Sequence, residues 1–273
     1  MENVLIDNHP LFYYPSNDPV VLQLSRNKIL FGKANFDILN FFIKEDGAIV
    51  DCGAHIGTFC FTPAHNGSEV IAIDGAVRNA QCLNKTFENM PNVIVENCIL
   101  LDKVKNCTFS TTYGPFGYAK SDHNGLDISD TLDNIVSRHN KKISGIKYDI
   151  EGNEIDAING SLETIGKYKP PLLIEVNGHC LRINDKKPYD LFDLLDKINY
   201  SYLLPIENKF LSINKNHKFP FCVTDIICIH NDNRHEYNIE ILPSLQEEQI
   251  NNLIQENYSK SNEDCRKYFE YIL

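Results

Sequence analysis

The sequence predicts an α/β domain: a mainly parallel sheet with helices on both faces. Three observations predict it. Short runs that are apolar almost throughout recur along the chain, as in AIVDCG from residue 48, EVIAID at 69–74 and PLLIEV at 171–176; strands of that kind are covered on both faces. Between them lie segments of helical length and period, and that alternation is the signature of crossover helices on a parallel sheet. The first run, AIVDCGAHIGTF, ends in an acid and opens into two glycines four positions apart, a turn that offers backbone N–H groups to a ligand at a helix N-terminus.

Taken in order, residues 1–45 read as an N-terminal cap with strand and helix pieces. The strand AIVDCG leads into a helical stretch carrying Ile56, Phe59, Cys60 and Ala64, and EVIAID follows as a second strand. Val77, Ala80, Leu83 and Phe87 then recur at helical spacing, and NVIVENCIL reads as a third strand. Residues 103–130, rich in Thr, Tyr, Gly, Ser and Asp, break the alternation and suggest a hairpin or loop over the sheet's edge. GIKYDI at 145–150 is a fourth strand, with Ile155, Ile158, Leu162 and Ile165 on one helical stripe after it. PLLIEV is a fifth, YDLFDLLDKI at 189–198 a helix, and SYLLPI and TDIICIH two last strands. From Leu242 to residue 273 the chain is a charged tail with a helical pattern.

The 273 residues suffice for one large domain with a sizeable core. A net charge of -11 argues against a surface that tracks phosphates, so no nucleic-acid partner is expected. Nine cysteines, an odd number without CxxC pairs, suit free thiols in a reducing compartment. The N-terminus lacks a signal-peptide pattern, and no apolar run approaches the ~18 residues of a membrane span. The reading is a cytoplasmic protein without a membrane partner, its oligomeric state undetermined.

The turn narrows the ligand. A dinucleotide fold presents G-x-G-x-x-G, whereas here Asp51 stands at the first glycine's place, giving D-x-G-x-x-x-G with Gly53 and Gly57. A carboxylate there repels a pyrophosphate and suits a cation such as an α-ammonium. The second strand ends at Asp74, about twenty residues on, where an acid can accept hydrogen bonds from ribose hydroxyls. A nucleoside with a ribose, a cationic amino-acid portion and no diphosphate is S-adenosyl-L-methionine.

AIVDCGAHIGTF, VIAIDGAVRNAQCLNKTFEN, DTLDNI, IKYDIEGNEIDAINGS and PPLLIEV, in this order and spacing over about residues 48–200, resemble the FkbM family of S-adenosylmethionine-dependent methyltransferases. The resemblance implies that residues 46–241 form a class I methyltransferase domain, a Rossmann-like seven-stranded sheet with six strands parallel and one reversed. The two late strands agree with that fold's final hairpin. It further implies that Asp51, Gly53, Ala54, His55, Gly57 and Asp74 bind the cofactor, and that Asn97, after the third strand, contacts its adenine. Two positions depart from the family pattern: His55 replaces a small residue or Asn, and Asp74-Gly75 replaces Glu-Pro.

Methyl transfer from a sulfonium is an in-line displacement, which needs alignment and, for a hydroxyl acceptor, a base. Lys147, Asp149 and Glu151 alternate along the fourth strand and its exit, so they face one side. Asp149 is the candidate base, and Glu151 a base or a carboxylate at the start of the following helix. Glu175 near the end of the fifth strand, with His179 four residues on, is a second acid–base candidate. The spacing is not a metal signature, so no metal is expected. The aromatic stretch 110–126, with Gly114 and Gly117, suits contacts to a sugar or polyketide. The leading expectation is O-methylation of a small molecule or glycan; RNA 2′-O-methylation, a non-catalytic binding subunit and a nicotinamide dehydrogenase are the alternatives.

Overall fold

The computed structural model describes residues 2–6, 8–13, 30–43, 45–110, 118–206, 209–215 and 223–237, with residues 248, 249 and 252 beyond them. Apart from residues 248, 249 and 252, the expected helical tail after Leu242 lies outside the described residues, as do residues 111–117 of the aromatic stretch, with Gly114 and Gly117.

A hairpin of β1 (Glu2–Ile6) and β2 (His9–Tyr13) and the helix α1 (Phe31–Phe41) precede the main sheet. The sheet then starts in its middle. Strand β3 (Ala48–Cys52) is followed by α2 (Thr58–His65), β4 (Val70–Asp74), α3 (Val77–Thr86) and β5 (Val93–Asn97), stepping outward to one edge. After α4 (Leu132–His139) the chain crosses back to place β10 (Ile143–Tyr148) on the other side of β3. It continues through α5 (Glu154–Asn159), α6 (Leu162–Tyr168), β11 (Leu172–Asn177), α7 (Gly178–Ile183) and α8 (Pro188–Lys197). Strands β12 (Tyr200–Ile206), β13 (Lys209–Ser212) and β14 (Val223–His230) close the sheet. The order is β13-β12-β14-β11-β10-β3-β4-β5. Strands β3, β4, β5, β10 and β11 run parallel, β14 is reversed, and β12 runs with the first five.

This is the class I methyltransferase topology with one addition. The expected seven strands, one of them reversed, are present, and β13 adds an eighth at the edge by pairing antiparallel with β12. Two further elements differ from expectation. The run NVIVENCIL is not one strand: it leaves the main sheet after Asn97, and β6 (Ile99–Leu100) pairs instead with β9 (Asp127–Asp130). With β7 (Asn106–Ser110) and β8 (Tyr118–Ser121) these make a small separate sheet, the hairpin suggested for 103–130. The stripe from Ile155 to Ile165 is two helices, because Gly160 lies against the Leu101 carbonyl, 2.3 Å from where a Cβ would stand. The TLD motif has a capping role here. Thr131 Oγ1 accepts the Asn134 N–H at 3.1 Å, and the Asp133 carboxylate accepts the N–H groups of Glu163 and Thr164, satisfying the first turn of α6.

Alternate strand residues serve two cores. Val50, Ile71, Ile73, Ile146, Ile174 and Ile226 pack with α4, α5, α6 and α8, while Ile49, Leu173 and Ile227 meet Phe36 and Leu39 of α1, Phe42 just after it and Phe59 of α2. On that second face the period of two continues toward the carboxyl ends of the strands, but the residues change character. Ile49 is followed by Asp51, Leu173 by Glu175, and Ile227 is preceded by Asp225. An apolar face becomes a charged one where the strands open into a cleft. Among the described residues no helix is long and apolar enough to cross a membrane, and the seven described cysteines are free.

Candidate active site

The cleft lies at the carboxyl ends of β3, β4 and β10, where the chain's direction of travel across the sheet reverses. That position is the one at which open α/β sheets bind ligands. Its lining includes Asp51, Gly53, Ala54 and His55 from the first turn, Asp74 from the second strand end, and Lys147, Asp149 and Glu151 from the third. Residues brought from afar complete it: Gly32 and Asn35 on α1, and Phe109 on β7.

The glycine turn is required by close approach. Gly53 has φ +87°, and a Cβ on it would stand 1.8 Å from the Asp149 carbonyl oxygen. Any side chain at residue 53 would separate the exits of β3 and β10. Gly57, at φ +94°, is the N-cap of α2 and faces Phe87 and Leu83 rather than the cleft. Its contribution is therefore to packing. His55 (φ 52°) and Glu151 (φ 54°) hold the left-handed conformation without being glycine, a strain that concentrates at functional sites.

Asp74 is nearly buried, and its carboxylate organises the turn. Oδ2 accepts the His55 N–H at 2.8 Å; Oδ1 accepts the Ala76 N–H at 2.8 Å and the Asn79 amide at 3.2 Å. Burial raises its pKa even against these donors. Three donors occupy three of about four lone-pair sites, so one site remains for a ligand, where the sequence had suggested two. Asn97 does not line the cleft. Its amide donates to the carbonyls of Asp74 and Gly75 and ties down the β4 exit, while Cys98, Ile99 and Leu100 reach the cleft instead. With Phe109 they form its apolar end.

At the opposite end sits a buried charge cluster. Lys147 and Asp51 are register partners on β10 and β3, and Lys147 Nζ lies 3.2 Å from Asp51 Oδ1 and 2.9 Å from Asp149 Oδ2. Burial works against the Lys147 charge, but Asp149 and Asp51 outweigh it and raise its pKa well above the usual range. Asp51 is fully buried, and its other oxygen accepts the Cys60 thiol at 3.1 Å. Asp51 borders the cleft, yet its charge is matched by Lys147 and is not the open carboxylate that a ligand cation would meet.

Glu151 precedes the helix instead of starting it. Its carboxylate accepts the Cys180 thiol at 3.0 Å, and burial, followed by the Asp149 charge, raises its pKa. The carboxylate that serves the backbone here is Glu154, whose Oε1 accepts the N–H groups of Ile150 at 3.0 Å and Gly152 at 3.1 Å. Glu175 stands one rung beyond Ile174, the partner of Tyr148, which places it beside Asp149. It pairs across β14 with Asp225, whose carboxylate accepts the Asn35 amide at 3.2 Å and is pushed up to about 6 by burial and Asp149. His179 is exposed on α7 and does not line the cleft, so the structure does not make it the partner of Glu175 within the cleft. Asp149, Glu151 and Glu175 present carboxylate oxygens within 4.8 Å of one another. The expectation of no metal came from linear spacing, which does not register a third acid brought in by the neighbouring strand.

Sequence reasoning missed Asp225, Glu154, Asn35 and Phe109. Asp225 had a legible signal, an acid inside the apolar run TDIICIH. Glu154 follows the strand exit with no mark of its burial, and Asn35 and Phe109 had no signal, because only packing brings α1 and the small sheet over the cleft.

Glu154 yields a stability prediction. It is fully buried with Oε2 unpartnered among the described residues, and burial pushes its pKa up from 4.5 to about 7 despite its backbone donors. The folded chain then keeps a proton that the unfolded chain releases, so stability is lost as pH rises from about 4.5 to about 7. Glu154→Gln keeps the accepting oxygen without the charge. It is expected to be more stable than the parent at pH 8 by about 2–3 kcal/mol, with no gain at pH 4. Urea titrations at the two pH values check this, and equal gains at both would contradict it.

Comparison with known proteins follows from this geometry. Residues 51–202, more than half of the chain, match the family model described as the methyltransferase FkbM domain. Among curated proteins no sequence matches. Solved structures that resemble the chain include an FkbM methyltransferase from Methylobacillus flagellatus KT, at 20% identity and TM-score 0.43 over 67% of this chain and 43% of that one. Another is a SAM-dependent methyltransferase from Aquifex aeolicus, at 11% identity and TM-score 0.41 over 79% of this chain and 100% of that one. A Streptococcus mutans protein in complex with SAH matches at 11% identity and TM-score 0.43, over 72% and 96% of the two chains. The chain thus spans less than half the length of the Methylobacillus protein. At these scores the fold assignment rests on strand order and the family match, not on the superpositions.

Proposed function

The chain belongs to the FkbM methyltransferase family, and we propose that it transfers the methyl group of S-adenosyl-L-methionine to a hydroxyl of a small molecule or glycan in the cytoplasm. One observation supports the reading: one cleft joins an apolar slot, the Asp74 carboxylate at a strand end and a charged end along the edge of a glycine turn. The lining fits that cofactor. Ile99, Leu100 and Phe109 would take the adenine, the remaining acceptor site of Asp74 one ribose hydroxyl, and Gly53, Ala54 and His55 the methionine portion. A dinucleotide fits poorly, because the lining's one lysine, Lys147, is already paired with two carboxylates.

When bound, S-adenosyl-L-methionine supplies an electrophilic methyl on a sulfonium. The chain's own residues do the rest. Asp149, half-buried at the cleft, accepts the proton of the acceptor hydroxyl as its oxygen attacks, work of about 10²–10⁴-fold in rate. Lys147, held by Asp51, fixes the orientation of Asp149 and acts as a positioning residue. The backbone from Gly53 to His55 aligns donor and acceptor, the larger share of the catalysis.

Calorimetric titration with S-adenosylmethionine and S-adenosylhomocysteine, with NAD as the control, tests the reading; binding of the first two alone is expected. Asp74→Ala is expected to weaken that binding by about 10–100-fold, the loss of one charge-assisted hydrogen bond. Asp74→Asn, which can keep an accepting oxygen, should lose less. Equal affinity in parent and Asp74→Ala would remove Asp74 from the site. The acceptor class is tested by transfer of a labelled methyl group to hydroxylated small molecules and glycans, with RNA as the contrasting substrate. Labelling of RNA alone would replace the proposed acceptor.

A further inference from the structure

We propose that Asp149, Glu151 and Glu175 are the protein ligands of a divalent-cation site at the charged end of the cleft. The first observation is geometric. Each residue presents a carboxylate oxygen, and these oxygens lie within 4.8 Å of one another. A cation with oxygen ligands at about 2.1–2.5 Å spans donors up to about 4–5 Å apart, so one ion reaches all three without rebuilding the backbone. The second observation is independent of the clustering. Glu175 Oε2 is shut off from solvent and has no hydrogen-bond partner among the described residues, although a buried carboxylate oxygen without a donor is costly.

The local charge count points the same way. Asp51, Asp149, Glu151, Glu154, Glu175 and Asp225 influence one another across the carboxyl ends of β3, β10, β11 and β14. Lys147 is the ammonium ion-paired among them, and its two partners are Asp51 and Asp149. Glu151 meets a thiol and Glu175 Oε2 meets no donor among the described residues, so the lysine leaves this pair uncompensated. Like charges opposite one another on adjacent strands are destabilising, and a proton would neutralise one carboxylate only. A divalent cation compensates the whole group.

Three carboxylates are a hard, all-oxygen donor set, which suits Mg²⁺, Mn²⁺ or Ca²⁺ over the softer thiophilic ions. Asp149 and Glu151 line the cleft and Glu175 does not. The remaining coordination positions therefore open toward the cleft and are available to water or to an oxygen of the acceptor. The ion's use in holding that acceptor oxygen rests on the methyl-transfer reading; the site itself does not.

The test uses the full chain stripped of metal by chelation and titrated with MnCl₂, free Mn²⁺ being read by electron paramagnetic resonance. One Mn²⁺ per chain is expected, displaced by Mg²⁺ or Ca²⁺. Glu175→Gln and, separately, Glu151→Gln should each weaken Mn²⁺ binding at least about tenfold. Calorimetry of S-adenosylmethionine on the same samples keeps the two readings apart. Cofactor binding without Mn²⁺ binding at millimolar concentration overturns the cation site and leaves the methyltransferase reading standing. Mn²⁺ binding that both variants retain in full also overturns it, since the ion would then sit elsewhere. Mn²⁺ binding that the variants lose, without cofactor binding, keeps the site and removes its catalytic setting.

Discussion

Asp149→Asn is expected to bind S-adenosylmethionine as the parent does and to lose turnover by about 10²–10⁴-fold, the range of a positioned general base. The change is isosteric and takes away a carboxylate that can accept a proton at the mouth of the cleft; Mn²⁺ titration of the same variant separates that loss from the loss of a cation ligand. Lys147 keeps Asp51 as its partner at 3.2 Å, so the strand ends should stay paired. Single-turnover transfer of a labelled methyl group, with calorimetry on the same sample, separates chemistry from binding. Turnover within a few-fold of the parent would exclude Asp149 as the base. A parallel collapse of cofactor affinity would instead assign it to binding.

The second large effect is on stability. Lys147→Met should destabilise the fold by about 3–5 kcal/mol, because removing one member of a buried ion pair leaves its partner uncompensated. Asp51 is fully buried and would keep the Cys60 thiol as its partner among the described residues. In a chain of this size the loss corresponds to a fall in melting temperature on the order of ten degrees. Asp51→Asn combined with Lys147→Met should lose clearly less than the sum of the two single changes, since the charge left stranded by the lysine's removal is then absent. A melting temperature within two or three degrees of the parent for Lys147→Met would show that solvent or another group reaches Asp51. Additive single changes would show that the two residues act independently.

Local features of the chain carried much of the fold. Apolar runs separated by helical periods placed β3, β4, β10, β11 and β14 near their observed limits, because strands buried on both faces admit little but apolar residues. Where a local conflict decides the boundary, the pattern misleads. NVIVENCIL carries Val93, Ile94, Val95, Ile99 and Leu100 and reads as one strand, yet it divides at Cys98 because the chain there changes sheets. The stripe through Ile155 and Ile165 keeps helical spacing, yet Gly160 packs against the Leu101 backbone and ends the first helix. The edge strand β13 had no signal at all, being four residues of ordinary composition paired on one side.

The cleft divides in the same way. By itself the sequence determined the D-x-G-x-x-x-G turn, the acid at the second strand end and the acids at the exits of the fourth and fifth strands. Their chemistry is local: a backbone that must pass within contact of its neighbour admits only glycine, and a charge inside an apolar run is conspicuous. Tertiary structure alone decided which of these charges are open to a ligand. It paired Asp51 with Lys147, directed the Asn97 amide to the carbonyls of Asp74 and Gly75, and left His179 on the surface. It also brought Glu175 against Asp149 and Glu151, and laid Phe109 and Asn35 over the cleft. Those outcomes depend on strand order and on crossover packing, which bring together residues up to 190 positions apart, and no local pattern encodes a distance of that kind.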